Sequence, residues 1–314
     1  MGAMIVKRLL RGALTVALVT VLIFIVLRVV PGDPVSMLAG EDASEEHIQS
    51  IITKWGLDKP ILEQFTIYIK SLLSGDAGMS FQYATATGQM IWSVRDLVIK
   101  RIPYTIILAT AAICINIFIS IPLGVLLALK PGSLLDDSIN AINYVIISLP
   151  TFFVGILLMY VFAIWLKWLP SGGEGGLRHL ILPALTLSSH FSVTIMRMTR
   201  TEVGRTLSSD YVRMCRAKGL SRLNVLFVHS LRNVAIPVIT LVGLRFGGMM
   251  AGAVFVERLF LWPGIGDLLI SSVQGRDYPT VQFLVPYAAL LFTLINTVVD
   301  ILYGVLDPRV YRKS

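Results

Sequence analysis

Six long apolar runs dominate the sequence, and each is close to the length that a helix needs to cross a lipid bilayer. A bilayer core of about 30 Å, divided by the helical rise of about 1.5 Å per residue, requires roughly 20 residues. The runs cover residues 12–30, 102–129, 141–166, 180–196, 234–256 and 281–306. They predict an all-α, polytopic membrane protein with six transmembrane helices.

The composition agrees with a membrane location. Of the 314 residues, 55% are hydrophobic and only 15% are charged, and the mean hydropathy is +0.76. This apolar content exceeds what one soluble core of this length could bury. Cys114 and Cys215 are far apart and the four histidines are scattered, so no disulfide framework and no metal site are predicted.

The distribution of charge between the loops predicts the orientation in the membrane. With six spans both termini lie on one side, and the loops of that side carry 15 basic and 5 acidic residues. The loops of the other side carry 10 basic and 13 acidic residues. Basic residues concentrate in cytoplasmic loops, so we expect both termini in the cytoplasm. The net charge of +8 is then a topology signal, and no nucleic acid is expected as a partner.

The chain divides into three predicted parts. Residues 1–30 form the N-terminus and first span, and residues 102–314 form a five-helix core. Between them, residues 31–101 are too polar to be buried in lipid and carry an amphipathic pattern, which predicts a small extracytoplasmic helical subdomain. It would serve either to dock a partner or as a plain lid, and the pattern does not choose between these roles.

The loop at residues 197–233 is the largest one expected in the cytoplasm, and it contains the signals of a short helix. Ser208 or Ser209 can cap the start, Asp210 follows in the first turn, and Gly219 is placed to end the helix. Basic residues fall in the last turn, where they complement the helix dipole. We expect about three helical turns here.

One stripe of this helix mixes apolar and basic side chains. Tyr211, Met214, Cys215 and Lys218 recur at intervals of three and four residues and so share a face. Such a helix could lie on an anionic membrane surface or fit into a cleft of a partner. The residues alone leave both possibilities open.

Motifs along the whole chain resemble one family of transporters. The segments are DYVRMCRAKGL (210–220), HSLRNVAIPVIT (229–240), PGDPV (31–35), GLDKP (56–60), GDAGMSF (75–81), HLILPALTL (179–187), WPGIG (262–266), RDYPTVQ (276–282) and VDILYGVLDPR (299–309). Together they resemble the permeases of binding-protein-dependent ABC importers of the dipeptide, oligopeptide and nickel group, most of all the dipeptide permease B-type subunit. Arg213 stands where the wider importer pattern has an acidic residue, which argues against a sugar substrate.

The resemblance implies a type I ABC importer permease fold and a role in coupling. The helix in residues 210–220 would dock in a groove of a cytoplasmic ATP-binding subunit. The expected coupling residues are Asp210, Tyr211, Met214, Cys215, Ala217, Lys218, Gly219 and Leu220. The implied partners are a second homologous permease, two ATP-binding subunits, an extracytoplasmic solute-binding protein and the lipid bilayer.

The chain itself is expected to be non-catalytic. It contains no GxxxxGK[ST] phosphate loop and no catalytic motif of an intramembrane hydrolase. No cofactor is therefore expected in this chain, and ATP and Mg²⁺ would be bound by the partner subunits.

Polar residues within apolar runs are costly and are therefore candidates for function. Candidates for the translocation path are Arg245, Asn296 and His190, and a structural role is expected for Asp300, Gly248 and Gly252. The two glycines have the small-xxx-small spacing that favours close packing, here against a second permease. Pro122, Pro150 and Pro183 are candidate bends.

Two other classes of protein compete with the importer hypothesis. A secondary transporter driven by an ion gradient would carry buried acidic residues in several spans, and an intramembrane enzyme would carry a catalytic cluster. Within the importer hypothesis the solute stays open, because the external binding protein does most of the selection. A dipeptide, a longer peptide, a glutathione-like solute, a nickel chelate and an opine all fit.

Overall fold

The computed structural model describes residues 2–29, 49, 52–53, 58–80, 92–219, 221 and 231–306. Within these residues the named elements are all helical, as predicted. They are α1 (Gly2–Val29), α2 (Ile61–Ser74), α3 (Val94–Ile115), α4 (Ile121–Leu129), α5 (Leu134–Ser148), α6 (Thr151–Met159), α7 (Leu177–Leu207), α8 (Asp210–Ala217), α9 (Leu231–Leu259), α10 (Ile265–Gln274) and α11 (Tyr278–Leu306).

Two π-helical segments extend these helices. Asn116–Ser120 joins α3 to α4, and Tyr160–Trp165 continues α6. A π-turn contains one extra residue per hydrogen-bonded ring and often marks a place where a helix changes the direction of its side chains. Pro122 falls in the first turn of α4, where a missing backbone N–H is tolerated.

Four helical stretches in the described part of the chain are long and apolar enough to cross a membrane. They are Arg8–Arg28, Val94–Leu129, Leu177–Leu207 and Tyr278–Val299. A fifth crossing results if α5 and the α6 stretch, Thr151–Trp165, form one broken span. α9 coincides with the fifth predicted run, but side chains of several of its residues lie outside the described set. The total of six transmembrane helices therefore stays a prediction.

The third predicted span is not one straight helix. α5 and the stretch that begins at Thr151 meet at an angle of 114°. Leu149 is extended, with φ −95° and ψ 140°, because the ring of Pro150 disfavours a helical conformation in the residue before it. The bend expected at Pro150 is confirmed, whereas Pro183 lies inside the continuous helix α7.

The chain contains two compact units, and the larger one is built around α7. This unit comprises Met1–Ile5, Thr105–Pro263 and Ile295–Ser314. Within it α4, α5, α6 and α9 all contact α7. Ala128, Ile195, Val203 and Val238 form a buried apolar cluster between α4, α7 and α9. Half of the apolar stretch of α7 is buried, which agrees with a central position in this unit.

The second unit comprises Val6–Tyr104 and Gly264–Leu294. Its apolar core includes Val94, Leu97, Leu268, Phe283 and Leu284. This unit contains α2 and the start of α3, which both fall within the predicted extracytoplasmic segment. Much of residues 31–101 lies outside the described residues, so its predicted role and the three-part division of the chain stay predictions.

Candidate coupling helix and intramembrane polar sites

The predicted cytoplasmic helix is present as α8, immediately after the long helix α7. Only Ser208 and Ser209 separate the two helices. The Ser208 hydroxyl donates to the carbonyl of Gly204 and the Ser209 hydroxyl donates to the carbonyl of Thr206. These two bonds complete the last turn of α7, so α8 begins directly where a helix that is long enough to cross a membrane ends.

The exposed face of α8 contains the residues of the predicted stripe except Cys215. Val212 and Cys215 are 1% and 5% exposed and pack together, whereas Tyr211 and Met214 are exposed. The predicted stripe combined Cys215 with Tyr211 and Met214, but Cys215 is buried and the other two are exposed, and its predicted role in coupling stays a prediction. Val212 and Cys215 are three residues apart and share the inward face, so the outward face consists of Tyr211, Met214 and Lys218.

The ends of α8 agree with the predicted signals. Asp210 occupies the first turn, and its carboxylate lies 3.3 Å from Arg213 in a solvent-exposed pair, which contributes little to stability. Gly219 has φ +82°, a conformation that a side chain with a Cβ disfavours. The helix is shorter than expected, with 8 residues. Ala217 and Lys218 are exposed, and Leu220 lies outside the described residues.

His190 contacts the bend of the third span. Its Nε2 lies 2.9 Å from the carbonyl oxygen of Leu149, so Nε2 carries the hydrogen and donates it. Its Nδ1 lies 3.2 Å from the hydroxyl of Ser189 and 3.4 Å from that of Thr151. These contacts give His190 a structural task, and its predicted place along the translocation path stays a prediction.

The other predicted path and packing residues lie on α9 and α11. The side chains of Arg245 and Asp300 lie outside the described set, although their backbones belong to α9 and α11. Asn296 is exposed and faces Gly247, where any Cβ would clash with its amide. In the part of the chain that the structure describes, in contrast, no atom lies within 4 Å of a Cβ placed at Gly248, and one at Gly252 would meet a side-chain atom of Leu187 at 3.7 Å.

Glu257 is a buried acidic residue that sequence reasoning missed. The fifth predicted span ended at residue 256, but α9 continues to Leu259 and Glu257 is fully buried. The Thr105 hydroxyl donates to its carboxylate at 2.6 Å. The available signal was that apolar residues resume at Leu259, directly after Glu257 and Arg258, which indicates that the helical run continues past these charges.

A second buried carboxylate, Asp136, pairs with a cation. Its side chain is 2% exposed and lies 2.6 Å from the guanidinium of Arg200. It also accepts from the backbone N–H of Gly132 and from the amide of Asn140. The pair with Arg200 attaches the first turn of α5 to the part of α7 that follows its apolar run, and a buried charge requires such a partner.

Comparison with known families decides what kind of protein this is. The family model of the inner membrane component of binding-protein-dependent transport systems matches residues 120–312, and the model of its N-terminal part matches residues 1–109. The chain belongs to this family. It is an ABC importer permease, a multi-pass inner-membrane subunit without catalytic activity of its own, which works with ATP-binding subunits and a solute-binding protein.

Individual relatives agree with the family assignment. The permease is 37% identical over 309 residues to the glutathione transport system permease protein GsiC of Escherichia coli K12, covering 98% of this chain and 99% of that protein. The same identity and coverage are found for GsiC of Shigella dysenteriae serotype 1. The predicted ABC importer family is therefore confirmed, and the alternatives of a secondary transporter and an intramembrane enzyme are set aside.

The fold of the permease resembles a solved ABC importer. An inward-facing structure of the MetNI methionine ABC transporter superposes with a TM-score of 0.54 at 15% sequence identity, covering 67% of this chain and 96% of that chain. At this identity the likeness concerns the fold alone, and it confirms the predicted type I permease architecture.

Proposed function

We propose that this permease forms half of the translocation path for small peptides of the size and character of glutathione. The relatives that match it from end to end are named for glutathione transport. The path residues we propose are Arg245, Asn296 and His190, which are polar residues carried by helices with apolar runs. The second half would come from a homologous permease.

The exposed small-residue face of α9 supports a second permease. Gly248, Ala251, Gly252 and Phe255 follow at intervals of three and four residues, and all four are exposed in this chain. Gly248, Ala251 and Gly252 leave this part of the face without bulky side chains, so another helix can approach it closely. We propose that this face of α9 packs against the partner permease. For Asp300, which lies on α11, we propose a structural role.

The coupling proposal rests on one observation, the outward face of α8. Tyr211 and Met214 are 46% and 51% exposed on a helix outside the predicted spans, while its other face is buried. A large aromatic side chain and a flexible thioether are typical of the anchors that fill a partner's cleft. In this proposal α8, from Asp210 to Gly219, docks in one of two ATP-binding subunits, which bind ATP and Mg²⁺. Both termini and α8 then lie in the cytoplasm.

The coupling proposal is tested in the complete importer, reconstituted in lipid with its binding protein and ATP-binding subunits. We expect the double variant Tyr211→Ala, Met214→Ala to leave the chain inserted but to abolish the ATP hydrolysis that loaded binding protein stimulates. Leu135→Ala is the matched control, because it removes an apolar side chain of similar exposure, 56%, in the first turn of α5. Full stimulation in the double variant would remove the coupling assignment.

The substrate proposal has its own test. The partner binding protein is titrated with glutathione, a dipeptide, a tetrapeptide and a nickel chelate, and uptake of the same solutes is measured in proteoliposomes. We expect glutathione or a peptide of similar size to bind and to be taken up only with ATP inside. Uptake of a nickel chelate alone would contradict the proposed substrate class without affecting the coupling proposal.

A further inference from the structure

A polar groove lies between α5 and α7, beside Arg197, the first residue after the apolar run of α7. The two helices run antiparallel, since Asp136 contacts Arg200, Asn143 contacts Met196 and Leu149 contacts His190. The space between them measures about 580 Å³ and is lined by Asp137, Asn140, Tyr144, Arg197, Arg200 and Thr201. We call this space the α5–α7 groove.

The two arginines of the α5–α7 groove differ in how their charge is balanced. Arg200 is paired with the buried carboxylate of Asp136 at 2.6 Å. Arg197 is exposed and, among the residues that the structure describes, makes no ion pair within 4.0 Å. The groove therefore has one guanidinium that forms no close ion pair with a carboxylate of the described residues.

Tyr144 fixes the position of the Arg197 guanidinium. The Arg197 side chain donates to the Tyr144 hydroxyl at 3.0 Å, and its guanidinium carbon lies 4.9 Å from the centre of the Tyr144 ring. A guanidinium has five N–H donors, and these two contacts use few of them. The remaining donors form a planar fork of the kind that binds a phosphate with two hydrogen bonds.

The position along the helices matches the level of lipid headgroups. Arg197 follows the apolar run 180–196 directly, so it lies where hydrocarbon gives way to phosphate. Tyr144 and Ile147 are exposed one turn apart on α5, and they continue the wall of the groove towards the hydrocarbon. A charged end with an adjoining apolar wall fits a phospholipid better than it fits a free phosphate.

Asp137 gives the groove a second, opposite charge. It is exposed and lies about two helical turns from Tyr144, towards the start of α5 and therefore further from the hydrocarbon. A headgroup that satisfies both charges has a phosphodiester at the level of Arg197 and an ammonium group further out. This order of charges is that of an ethanolamine headgroup.

We propose that the α5–α7 groove is a binding site for phosphatidylethanolamine of the cytoplasmic leaflet. Arg197 binds the phosphodiester, Asp137 accepts hydrogen bonds from the ammonium group, and one acyl chain lies along Tyr144 and Ile147. The choice of leaflet rests on the proposed orientation, with both termini in the cytoplasm. The choice of an ethanolamine headgroup rests on the positions of Arg197 and Asp137 in the groove.

The test is native mass spectrometry of the complete importer in detergent, with equal amounts of phosphatidylethanolamine, phosphatidylglycerol and phosphatidylcholine added. We expect the wild-type complex to retain phosphatidylethanolamine in preference. Arg197→Gln should reduce retention of phosphatidylethanolamine and phosphatidylglycerol alike by about fivefold, because both carry the phosphodiester. Asp137→Asn should shift the preference from phosphatidylethanolamine towards phosphatidylglycerol by up to about fivefold.

Two further variants distinguish lipid binding in the groove from a general effect of positive charge on lipid retention. Lys130→Gln removes a positive charge from an exposed residue near the start of α5 but outside the groove, and it should change no retention. Arg197→Lys keeps the charge but removes the planar fork, so it should retain less lipid than wild type and more than Arg197→Gln.

Other outcomes would overturn the proposal. Equal losses in Lys130→Gln and Arg197→Gln would show a non-specific charge effect, and unchanged retention in both Arg197→Gln and Asp137→Asn would show that lipid does not bind in the groove. Release of the ATP-binding subunits by Arg197→Gln, with lipid retention intact, would make the groove a protein interface. Lipid retention requires neither transport nor ATP hydrolysis, so this result is independent of the coupling test.

Discussion

His190 donates a hydrogen bond from Nε2 to the carbonyl oxygen of Leu149, across 2.9 Å. Leu149 is the extended residue at which the helical stretches before and after Pro150 turn through 114°. The contact gives a partner to a carbonyl at a break in the helix, where the ordinary helical acceptor pattern is interrupted. A side chain of the central helix α7 thereby fixes the conformation of a bend 41 residues away in sequence.

We predict that His190→Leu destabilises the permease by about 1–3 kcal/mol, because it leaves the Leu149 carbonyl without its donor. His190→Gln should recover much of this loss, since its amide nitrogen can reach the same carbonyl. Thermal unfolding of the purified complex measures the effect. Equal stability of His190→Leu and wild type would show that the bend does not depend on this contact.

Gly219 offers a test of backbone conformation at the end of α8. We predict that Gly219→Ala strains the left-handed turn at φ +82° by about 1–2 kcal/mol, and so weakens the ATP hydrolysis stimulated by loaded binding protein. Gly219→Asn is the matched control, because asparagine tolerates this conformation better than alanine. No atom of the described residues lies within 4 Å of the position a Cβ would take, so a difference between the two variants reports conformation rather than crowding by those residues.

Gly219→Trp and a charge reversal at Asp210 extend the same test to the docking surface. Both should leave the chain inserted in the membrane and abolish stimulated ATP hydrolysis, because bulk or reversed charge prevents docking of α8. Insertion is checked by protease protection of the loops. Retained stimulation in both variants would argue that α8 is not the coupling element.

A close approach between α4 and α7 at Gly124 predicts a sharp effect of one methyl group. A Cβ at Gly124 would lie 2.6 Å from the backbone oxygen of Met196 and 2.8 Å from Thr199, so Gly124→Ala should destabilise by about 1–3 kcal/mol. Gly204 lies in the same helix as Met196, and no described residue comes within 4 Å of the place of its Cβ, so Gly204→Ala should be neutral or stabilising by up to about 1 kcal/mol. The denaturation midpoint of Gly124→Ala should therefore fall, whereas that of Gly204→Ala should stay unchanged or rise.

Tyr68 on α2 predicts a loss of stability at alkaline pH. Burial raises the pKa of Tyr68 above its usual value of 10.0, although the positive charge of Arg28 opposes the shift. Its hydroxyl donates to the carbonyl of Gln282 at 2.9 Å. Above pH 10 the unfolded chain releases the phenolic proton and the folded chain retains it, so this contribution to stability is present below pH 10 and is lost as pH rises further.

The matched variant for this prediction is Tyr68→Phe. It should be less stable than wild type by about 1 kcal/mol near pH 8, because the bond to Gln282 is lost. The difference between the two proteins should shrink above pH 10, as followed by thermal unfolding at a series of pH values. A constant difference up to pH 11 would mean that Tyr68 titrates alike in the folded and unfolded chains.

The position of α8 could be predicted because its signals are local. Asp210 in the first turn and Gly219 beyond the last are set by the geometry of helix ends, which depends on a few neighbouring residues. The side of α8 that Cys215 occupies could not be predicted in the same way. The spacing of apolar residues indicates which residues share a face of the helix. Which face is buried depends on the residues against which α8 packs.

The buried charges show the same limit more clearly. Glu257 and Asp136 were placed outside the spans because a carboxylate normally ends an apolar run. Glu257 is buried with Thr105, 152 residues earlier in the chain, and Asp136 with Arg200, 64 residues later. No window along the sequence contains both members of such a pair.

The sequence by itself determined the membrane class, the approximate place of the helices, including α8, and the family. Apolar length, helix ends and motif order are properties of contiguous residues. Only the tertiary structure decided which face of α8 is exposed, to which carbonyl oxygen His190 donates, and that no carboxylate of the described residues lies within 4.0 Å of the Arg197 guanidinium. These features depend on distance between residues far apart in the chain, and a hydrogen bond or an ion pair is specified only when both partners have been placed.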